Sequence, residues 1–442
     1  MAQNDSVWKS NREALMGRLR DTVAVVFAAP ETIRNNDVHH DYRQDSDFYY
    51  LSGCEEPDSV LVLAPHREPG DQTAIFLRTK DPEREVWDGE RIGVDAAPAR
   101  LGVDKAFPIG RLAELLPEWI KGVRKVHYAF GRWPAQDAVM TDAVNASARI
   151  HRRHGHETPS EIVAPEDLLW EQRLIKTPPS IESMRKAAKL AALGHRRAMA
   201  VARPGQHEYQ LQAAMEYEWA VRGSRRTAYS SIVGGGPNAC VLHYRDNNRP
   251  IADGELVLID AGCEVEYFAS DITRTWPISG RFTPPQRQIY ELVLAAQYAS
   301  IAVCRPGRPF QAVHDETVKV LTAGLVELGL LQGPVEARLA DETYKRFYMH
   351  RTSHWLGMDV HDVGRYRLGG TSRALEPGMV LTVEPGLYIS PNDETVPAQY
   401  RGIGIRIEDD VLVTSGEPDV LSADAPKEVE ALEALIGSAT LA

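Results

Sequence analysis

Two stretches of the sequence, 124 residues apart, repeat one short pattern. The first is Gly254-Glu-Leu-Val-Leu-Ile-Asp-Ala-Gly262, and the second is Gly378-Met-Val-Leu-Thr-Val-Glu-Pro-Gly386. Each has a turn glycine, an apolar segment of strand length and then a carboxylate, Asp260 or Glu384, before a second glycine. Two unrelated strands would also explain the match, because apolar strands bounded by glycine are common. We favour a duplicated half-domain that directs both carboxylates towards one centre.

Strand alternation places a third carboxylate beside the first. Successive side chains of a strand point to opposite faces, so Asp271 shares a face with Thr273 in the segment 269–275. The intervening residues 262–267 have the length of a hairpin. Asp260 and Asp271 can therefore meet across a pair of strands, where two aspartates repel each other unless a cation lies between them or one is protonated.

The segment 402–410 supplies a fourth carboxylate. The isoleucines at 403, 405 and 407 would face an apolar core, while Arg406 and Glu408 would face the other way. A strand with one solvated face is the common meaning of such alternation. Beside the other carboxylates, the pattern favours a polar pocket lined by Arg406 and Glu408.

Three histidines, His350, His354 and His361, fall within twelve residues. A lone histidine more often packs in a core or lies at the surface than binds a metal, but this density favours a site. His243 follows an apolar pair and has no such support from its neighbours.

Together these segments give a candidate set of four carboxylates and one imidazole: Asp260, Asp271, His354, Glu384 and Glu408. The set suits two divalent ions bridged by carboxylates, and oxygen-rich ligation favours Mn²⁺, with Co²⁺, Fe²⁺ or Zn²⁺ as alternatives. Two ions that share a water can activate it near neutral pH and polarise a carbonyl. The sequence therefore predicts a hydrolase of amides or phosphoesters.

Composition excludes several other classes. The 442 residues include 50 Lys and Arg against 62 Asp and Glu, and the net charge of −12 argues against a nucleic-acid binder, which needs a basic surface. The N-terminus lacks the apolar run of a signal peptide, and no stretch approaches the roughly 20 apolar residues of a membrane helix. The four cysteines form no Cys-x-x-Cys pair. We therefore expect a soluble, cytoplasmic protein with reduced cysteines and no membrane partner.

The chain is expected to fold into two domains, residues 1–172 and 173–442. The first third alternates helical and strand patterns, which predicts an α/β domain. The patterns predict helices over 11–20, 111–121 and 135–150, strands over 23–27, 47–51, 59–63 and 73–77, and an irregular segment over 151–165 that precedes the domain boundary. A long helix is expected from Ser180 to Ala202, with Thr177 or Ser180 as its N-cap.

Several of these motifs resemble one enzyme family. The stretches LIDAG, SDITRTW, HRTSHWLGMDVHD, LTVEPGLY and GIGIRIEDD are similar to those of the proline-type pita-bread metallopeptidases, specifically the aminopeptidase P (Xaa-Pro aminopeptidase) family. FAAPE, YRQDSDFYYLSG, EVWDGERIG and AAPARLGVD extend the resemblance to the N-terminal domain. It implies a creatinase/prolidase-like α/β N-terminal domain and an α+β pita-bread catalytic domain of the creatinase and methionine aminopeptidase type, with pseudo-two-fold internal duplication.

The resemblance implies metal-ligand roles for the five candidate donors. Asp271, His354 and Glu384 would hold one ion. Asp260, Asp271 and Glu408 would hold the other, with Glu408 shared between the two. Glu384 would also carry a proton from the bridging water to the leaving nitrogen.

The resemblance implies further roles around the metals. His243 and His361 match histidines that contact substrate and stabilise the tetrahedral intermediate, and His350 matches one that lines the proline side of the pocket. Arg406 and Tyr388 match residues that orient the site together with Asp260.

The implied activity is hydrolysis of the bond between any N-terminal residue and a penultimate proline, by a hydroxide held between two divalent ions. The implied substrates are peptides with proline at position two. An Xaa-Pro dipeptidase (prolidase) shares the five ligands, although the N-terminal stretches favour the aminopeptidase. A metal-free creatinase-like hydrolase or a non-catalytic pita-bread scaffold would lack part of the ligand or histidine set, which is complete here.

Two features concern the rim of the pocket. Trp87 and Asp37 match N-domain positions that in relatives reach the active site of a neighbouring subunit, which implies a homo-oligomer, either a dimer or a tetramer. A tryptophan in a strand is, however, more often part of a core. Between His350 and Ser353, many relatives carry glycine where this sequence has Arg351.

Overall fold

The computed structural model describes residues 5–439, with side chains from residue 7 onwards. The chain divides into two compact units, Met1–Gln172 and Arg173–Ala442. Each unit has its own buried apolar cluster. Over residues 5–439, no helix combines the length and apolar character needed to cross a membrane.

A mixed sheet forms the centre of the N-terminal unit. The strands of this unit are β1 (Val23–Phe27), β2 (Ile33–Asn35), β3 (Val38–His39), β4 (Val60–Leu63), β5 (Thr73–Leu77), β6 (Lys105–Pro108), β7 (Lys125–His127) and β8 (Glu161–Val163). Within the described residues the sheet has the order β6-β5-β4-β1-β7-β8, and β2 and β3 form a separate hairpin. β4 pairs antiparallel with both of its neighbours, β1 and β5. The other pairings are parallel: β6 with β5, β7 with β1 and β8 with β7.

The N-terminal unit also contains helices. They are α1 (Asp5–Leu19), α2 (Ser46–Ser52), α3 (Pro82–Asp88), α4 (Ala97–Leu101), α5 (Leu112–Trp119) and α6 (Pro134–His151), followed at the unit boundary by α7 (Glu171–Leu174). Alternate residues of the strands, such as Val25 and Phe76, point to one face of the sheet and form a cluster with Leu116 and Met140 of α5 and α6. This is the α/β domain expected from the sequence.

Two local predictions in the N-terminal unit are wrong. Residues 47–51 were expected to form a strand but lie within α2, where the Asp45 side chain accepts a hydrogen bond from the Phe48 amide at the N-cap. Gly53 ends the helix in the left-handed conformation. The segment 151–165 was expected to be irregular, yet its residues 161–163 form β8 of the central sheet.

The C-terminal unit contains long helices and short strands. Its helices are α8 (Pro178–Val201), α9 (Glu208–Ala220), α10 (Pro284–Ala302), α11 (Gln311–Glu327), α12 (Val335–Ala340) and α13 (Val429–Leu435). Its strands are β9 (Arg226–Thr227), β10 (Ile232–Gly235), β11 (Leu256–Asp260), β12 (Cys263–Val265), β13 (Phe268–Ala269), β14 (Thr273–Pro277), β15 (Arg367–Leu368), β16 (Thr371–Ser372), β17 (Val380–Val383), β18 (Gly386–Tyr388), β19 (Gly404–Arg406), β20 (Asp409–Leu412) and β21 (Asp419–Val420).

The C-terminal unit repeats one arrangement. Thr177 and Thr283 each cap a long helix that begins with Pro-Pro, and the next helix packs on it, α9 on α8 and α11 on α10. Each helix pair is followed by an antiparallel strand pair, β11 with β14 and β17 with β20. A backbone bridge between Thr273 and Glu408 joins the two halves. The repeated sequence pattern therefore lies on two corresponding strands, β11 and β17.

The apolar faces predicted around the site are buried. Ile403, Ile405 and Ile407 are at most 5 % exposed and belong to the main cluster of the C-terminal unit. Cys263 is fully buried in the same cluster, where it packs as a small apolar side chain. With these residues in the core, the polar positions between them face the opposite side.

Candidate metal centre

The four carboxylates lie at the ends of strands. Asp260 ends β11 and Asp271 precedes β14, and the register of this pair sets Asp260 opposite Thr273. Glu384 directly follows β17, and Glu408 lies between β19 and β20. Because the backbone bridge of Glu408 reaches Thr273, the carboxylates of both halves arrive at one place.

His354 brings the carboxylates into a ligand set. Its Nε2 lies 3.4 Å from Asp271 Oδ2 and 3.7 Å from Glu384 Oε1. One ligand atom each from Asp271, His354 and Glu408 lie within 4.8 Å of one another, which is a grouping that could hold a metal ion. His354 Nδ1 donates to the Trp355 carbonyl at 3.1 Å, so Nε2 is the nitrogen left for a metal.

Asp260 joins this group through shared hydrogen bonds. The Tyr229 hydroxyl donates to Asp260 Oδ1 at 2.6 Å and also lies within hydrogen-bonding distance of Asp271 Oδ1. Arg406 Nη2 donates to Asp260 Oδ2 at 2.6 Å. Thr273 Oγ1 donates to Glu408 Oε2 at 2.6 Å. These contacts fix the orientation of the carboxylates before any ligand is considered.

The electrostatics of the group call for a cation. Burial raises the pKa of Asp271, and it raises that of Glu384 to about 8. Burial together with the charges of Asp271 and Glu384 raises the pKa of Glu408 well above its usual value. Burial alone would lower the pKa of His354, but its hydrogen bond to Asp271 and the charge of Glu384 raise it to about 9. These raised pKa values mean that, without a metal, bound protons reduce the repulsion between the buried carboxylates. Divalent ions would compensate the same negative charges, so the donor set fits such ions.

A hydrogen-bonded chain orients His350 behind the metal donors. Arg406 Nη1 donates to the Tyr388 hydroxyl at 2.9 Å, and that hydroxyl lies 2.9 Å from His350 Nε2. His350 Nδ1 lies 2.8 Å from the Arg351 carbonyl, which can only accept, so Nδ1 carries a proton. The Tyr388 hydroxyl then donates to Nε2. Burial, with the charge of Arg406, lowers the pKa of His350 to about 3, in keeping with a neutral ring.

One open cavity of about 730 Å³ connects these side chains. The cavity is lined by the five candidate donors, by Arg406 and by the three histidines predicted to act beside them, His243, His350 and His361. The rings of His361 and His354 meet edge to face, 4.4 Å apart. Tyr388 is buried and reaches the cavity only through His350 and Arg406.

The remaining predicted residues, Trp87 and Asp37, lie in the N-terminal unit. Trp87 is on helix α3 and is 84 % exposed, so the alternative interpretation, a tryptophan in a strand and part of a core, does not apply. Asp37 is exposed in the turn between β2 and β3. A neighbouring subunit as their partner stays a prediction.

Sequence reasoning missed some of the supporting side chains. Tyr229 lies 31 residues before Asp260, and no spacing or pattern connects the two. Thr382 Oγ1 accepts a hydrogen bond from the His354 amide and donates to Glu384 Oε1 at 3.5 Å. The alternation of Thr382 with Glu384 offered a signal, since Glu384 directly follows β17 and side chains two residues apart point to the same side. Thr273 could have been found in the same way, because it lies two residues after Asp271 and shares its face.

Comparison with known proteins identifies the family. A family model described as metallopeptidase family M24 matches residues 182–415, more than half of the chain. The chain belongs to metallopeptidase family M24. A second model, described as the aminopeptidase P N-terminal domain, matches residues 8–128. The fold class expected from the sequence, an α/β N-terminal domain followed by a pita-bread catalytic domain, is thereby confirmed.

Individual members of family M24 resemble the chain over nearly its full length. Xaa-Pro aminopeptidase from Escherichia coli (strain K12) is 43 % identical over 433 residues, which cover 98 % of each chain. The structure of aminopeptidase PepP from Pseudomonas aeruginosa has a TM-score of 0.95 and 51 % identity, and the match covers 98 % of this chain and 97 % of that chain. Zinc-substituted Escherichia coli aminopeptidase P in complex with product has a TM-score of 0.93 and 42 % identity, with 98 % of both chains covered. The chain is a metallopeptidase with the full two-domain architecture of these relatives.

Proposed function

We propose that the chain is an Xaa-Pro aminopeptidase, which hydrolyses the bond between any N-terminal residue and a proline at position two. One observation carries the proposal: a single cavity contains the five donors and three histidines expected for this activity, in a chain of family M24. The 43 % identity to an Xaa-Pro aminopeptidase over 98 % of the chain supports the same substrate class.

The metal complement is two divalent ions per chain, with Mn²⁺ favoured and Zn²⁺, Co²⁺ or Fe²⁺ as alternatives. The residues that would hold them are Asp260, Asp271, His354, Glu384 and Glu408. Four carboxylates balance the charge of two such ions, and oxygen-rich sets favour the harder metals. When bound, the ions supply an activated water and polarise the carbonyl of the scissile bond.

The side chains around the metals complete the reaction. Glu384 lies between His354 and His350, with its Oε2 3.8 Å from His350 Nδ1, and can carry a proton to the leaving prolyl nitrogen. His243 and His361 line the cavity and can donate hydrogen bonds to the carbonyl oxygen as it gains charge. His350, held by Tyr388, forms the wall on the proline side. The free amine of the substrate lies at the acidic end of the cavity, which makes the enzyme an exopeptidase.

A peptide panel tests this proposal. The purified full chain is depleted of metal, reloaded with Mn²⁺ or Zn²⁺ and offered the dipeptide Ala-Pro and the tetrapeptides Ala-Pro-Ala-Ala and Ala-Ala-Ala-Ala. We expect release of the first residue from the proline peptide and none from its alanine counterpart. Cleavage of Xaa-Pro dipeptides alone would identify a prolidase, and no cleavage with either metal would identify a scaffold. Full activity in metal-free protein would exclude the metal-dependent reaction.

Metal content tests the number of ions in the same preparations. We expect two ions per wild-type chain by elemental analysis, and fewer in Asp260→Asn, because that change removes one anionic donor of the set. Asp253→Asn, at an exposed aspartate seven residues earlier, is the matched control and retains two. One ion per wild-type chain would contradict the dinuclear centre.

Assembly and location are part of the proposal. We propose a homo-oligomer, either a dimer or a tetramer, in which Trp87 and Asp37 of one subunit approach the cavity of the next. The large exposed fraction of Trp87 supports this, because exposed tryptophans are typical of interaction surfaces. A cytoplasmic location agrees with four cysteines that form no disulfide.

A further inference from the structure

The charged side chains that line the cavity are four carboxylates and four arginines. The described acidic side chains in its wall are the four of the metal group. Apart from Arg406, which is bonded to Asp260, the charged side chains of the remaining wall are all arginines: Arg245, Arg351 and Arg367. Although the chain has a net charge of −12, the charged side chains of the cavity other than the candidate metal donors are thus all cationic.

Two of these arginines, Arg351 and Arg245, have guanidinium N–H donors that are not used in an ion pair within the described part of the chain. Arg351 is exposed, and its Nη1 reaches the Gln311 side-chain oxygen only at 3.4 Å, the long limit of a hydrogen bond. Among the described residues, neither Arg351 nor Arg245 has a carboxylate within 4.0 Å. Arg367, in contrast, donates twice to the Gly370 carbonyl. Arg351 and Arg245 are thus cations in the cavity wall without a carboxylate of their own.

Arg351 lies near the expected position of the peptide segment that follows the scissile bond. It directly follows His350, which lies beside Glu384, and its carbonyl accepts the His350 Nδ1 hydrogen bond at 2.8 Å. The free amine of a bound peptide would lie beside the four carboxylates, and His350 would line the proline side of the pocket. Residues after the proline are therefore expected to approach Arg351.

We propose that Arg351, with Arg245, binds a carboxylate of the substrate downstream of the scissile bond. The carboxylate is either the C-terminus of a short Xaa-Pro-Yaa peptide or an acidic side chain after the proline. Arginine suits both, because its planar fork matches a carboxylate. The inference rests on the proposed Xaa-Pro aminopeptidase activity and names the class of peptide that the site prefers.

Matched peptides test the inference on the metal-loaded full chain. Ala-Pro-Ala with a free C-terminus is compared with Ala-Pro-Ala-amide, and Ala-Pro-Glu-amide with Ala-Pro-Gln-amide, which separates the two sources of the carboxylate. We expect kcat/KM to be about tenfold higher for the charged member of at least one pair, mainly through KM, because a hydrogen bond to a charged group contributes roughly that factor. The ratio of kcat/KM between the charged and the neutral peptide should fall as the salt concentration is raised.

Variants assign this preference to the arginines. In Arg351→Gln the charged-to-neutral ratio should fall to about twofold or less, and Arg245→Gln should lower it in part. Arg281→Gln is the matched control, because Arg281 is 82 % exposed and pairs with Glu433 away from the cavity wall; its ratio should equal that of wild type. A wild-type ratio near one, or a ratio that survives Arg351→Gln and Arg245→Gln, would overturn the inference while leaving the aminopeptidase activity intact. No cleavage of any of these peptides would instead overturn the activity on which it rests.

Discussion

At the metal centre, Tyr229 is the side chain that touches two carboxylates at once. Its hydroxyl lies between Asp260 and Asp271, and burial raises its pKa well above the usual value, as do the charges of those two aspartates. The hydroxyl therefore keeps its proton and acts as a donor. It thereby connects the two aspartates of the first half that we propose as metal ligands.

Replacing Tyr229 by phenylalanine should weaken metal binding without removing a ligand. We expect the dissociation constant for Mn²⁺ to rise about 10- to 100-fold, the usual effect of losing a partner of a metal ligand. Calorimetric titration of metal-free protein measures it. Tyr217→Phe, at a tyrosine that is 64 % exposed, serves as control and should bind as wild type does. Equal affinities for Tyr229→Phe and wild type would show that Tyr229 does not orient the aspartates.

The candidate metal ligands could be predicted from the sequence, whereas the side chains that hydrogen-bond to them could not. Alternation along a strand places Asp260, Asp271 and Glu408 on polar faces, and short-range spacing suffices for that. Tyr229 reaches the site only because the chain returns from a distant turn. Such contacts depend on tertiary packing, so a single sequence carries no local sign of them.

At the scale of elements, a buried ion group holds the loop that carries His361. Asp362 directly follows His361 and accepts hydrogen bonds from Arg173 at 2.7 Å and Lys176 at 3.0 Å. All three side chains are at most 2 % exposed. The Asp362 amide also donates to the Trp355 carbonyl, which closes the loop on itself. The position of His361 in the cavity therefore depends on charges buried behind it.

Asp362→Asn should both destabilise the protein and misplace His361. Removing one member of a buried ion group leaves the others uncompensated and costs about 3–5 kcal/mol. We expect a lower thermal midpoint, and a fall in kcat for Xaa-Pro peptides in the folded variant. Asp359→Asn is the control: Asp359 pairs with the same Arg173, but its side chain is 38 % exposed, so the change should cost about 1 kcal/mol or less. Similar losses in both variants would contradict the role of burial.

The same scale shows why one helix was mistaken for a strand. Residues 46–52 are buried except for Tyr49, so the segment has no solvated face whose period could be read. A short apolar run bounded by polar residues and glycine fits a buried strand or a buried helix equally well. The hydrogen bond from the Phe48 amide to the Asp45 side chain stabilises the helix as an N-cap. An aspartate in a sequence can be recognised as such a cap only when the helical backbone that follows it is known. The long helix from Pro178, with its Thr177 cap and clear periodicity, was predicted within a few residues.

At the scale of the whole C-terminal unit, a second buried ion group joins the two repeated halves. Arg274 of β14 donates to Asp409 of β20 at 2.7 Å, and both side chains are fully buried. Lys427 and Gln297 also donate to Asp409, at 2.7 Å and 2.5 Å. The duplication could be predicted from the repeat at an offset of 124 residues. This cross-link could not, because it lies outside the repeated pattern.

The Asp409 group makes a pH-dependent contribution to stability. Burial alone would raise the pKa of Asp409, but the adjacent Arg274 and Lys427 hold it well below the usual range. In the unfolded chain an aspartate titrates at about 3.9. The native state therefore binds fewer protons, so this stabilisation is present above about pH 4 and is lost as pH falls below that value.

Asp409→Asn should accordingly lower the stability by about 3–5 kcal/mol at pH 7, with the difference from wild type constant down to about pH 5 and shrinking below about pH 4. Thermal unfolding of metal-free wild type and variant across this range measures the difference. The carboxylates of the metal centre titrate in both proteins, so their effect cancels in the comparison. Glu430→Gln, in a surface pair with Arg287 where the glutamate side chain is 78 % exposed, is the control and should change stability by less than about 1 kcal/mol at every pH. If the Asp409→Asn difference were the same at pH 7 and below pH 4, the two halves would be held together by packing across β14 and β20 and not by this charge.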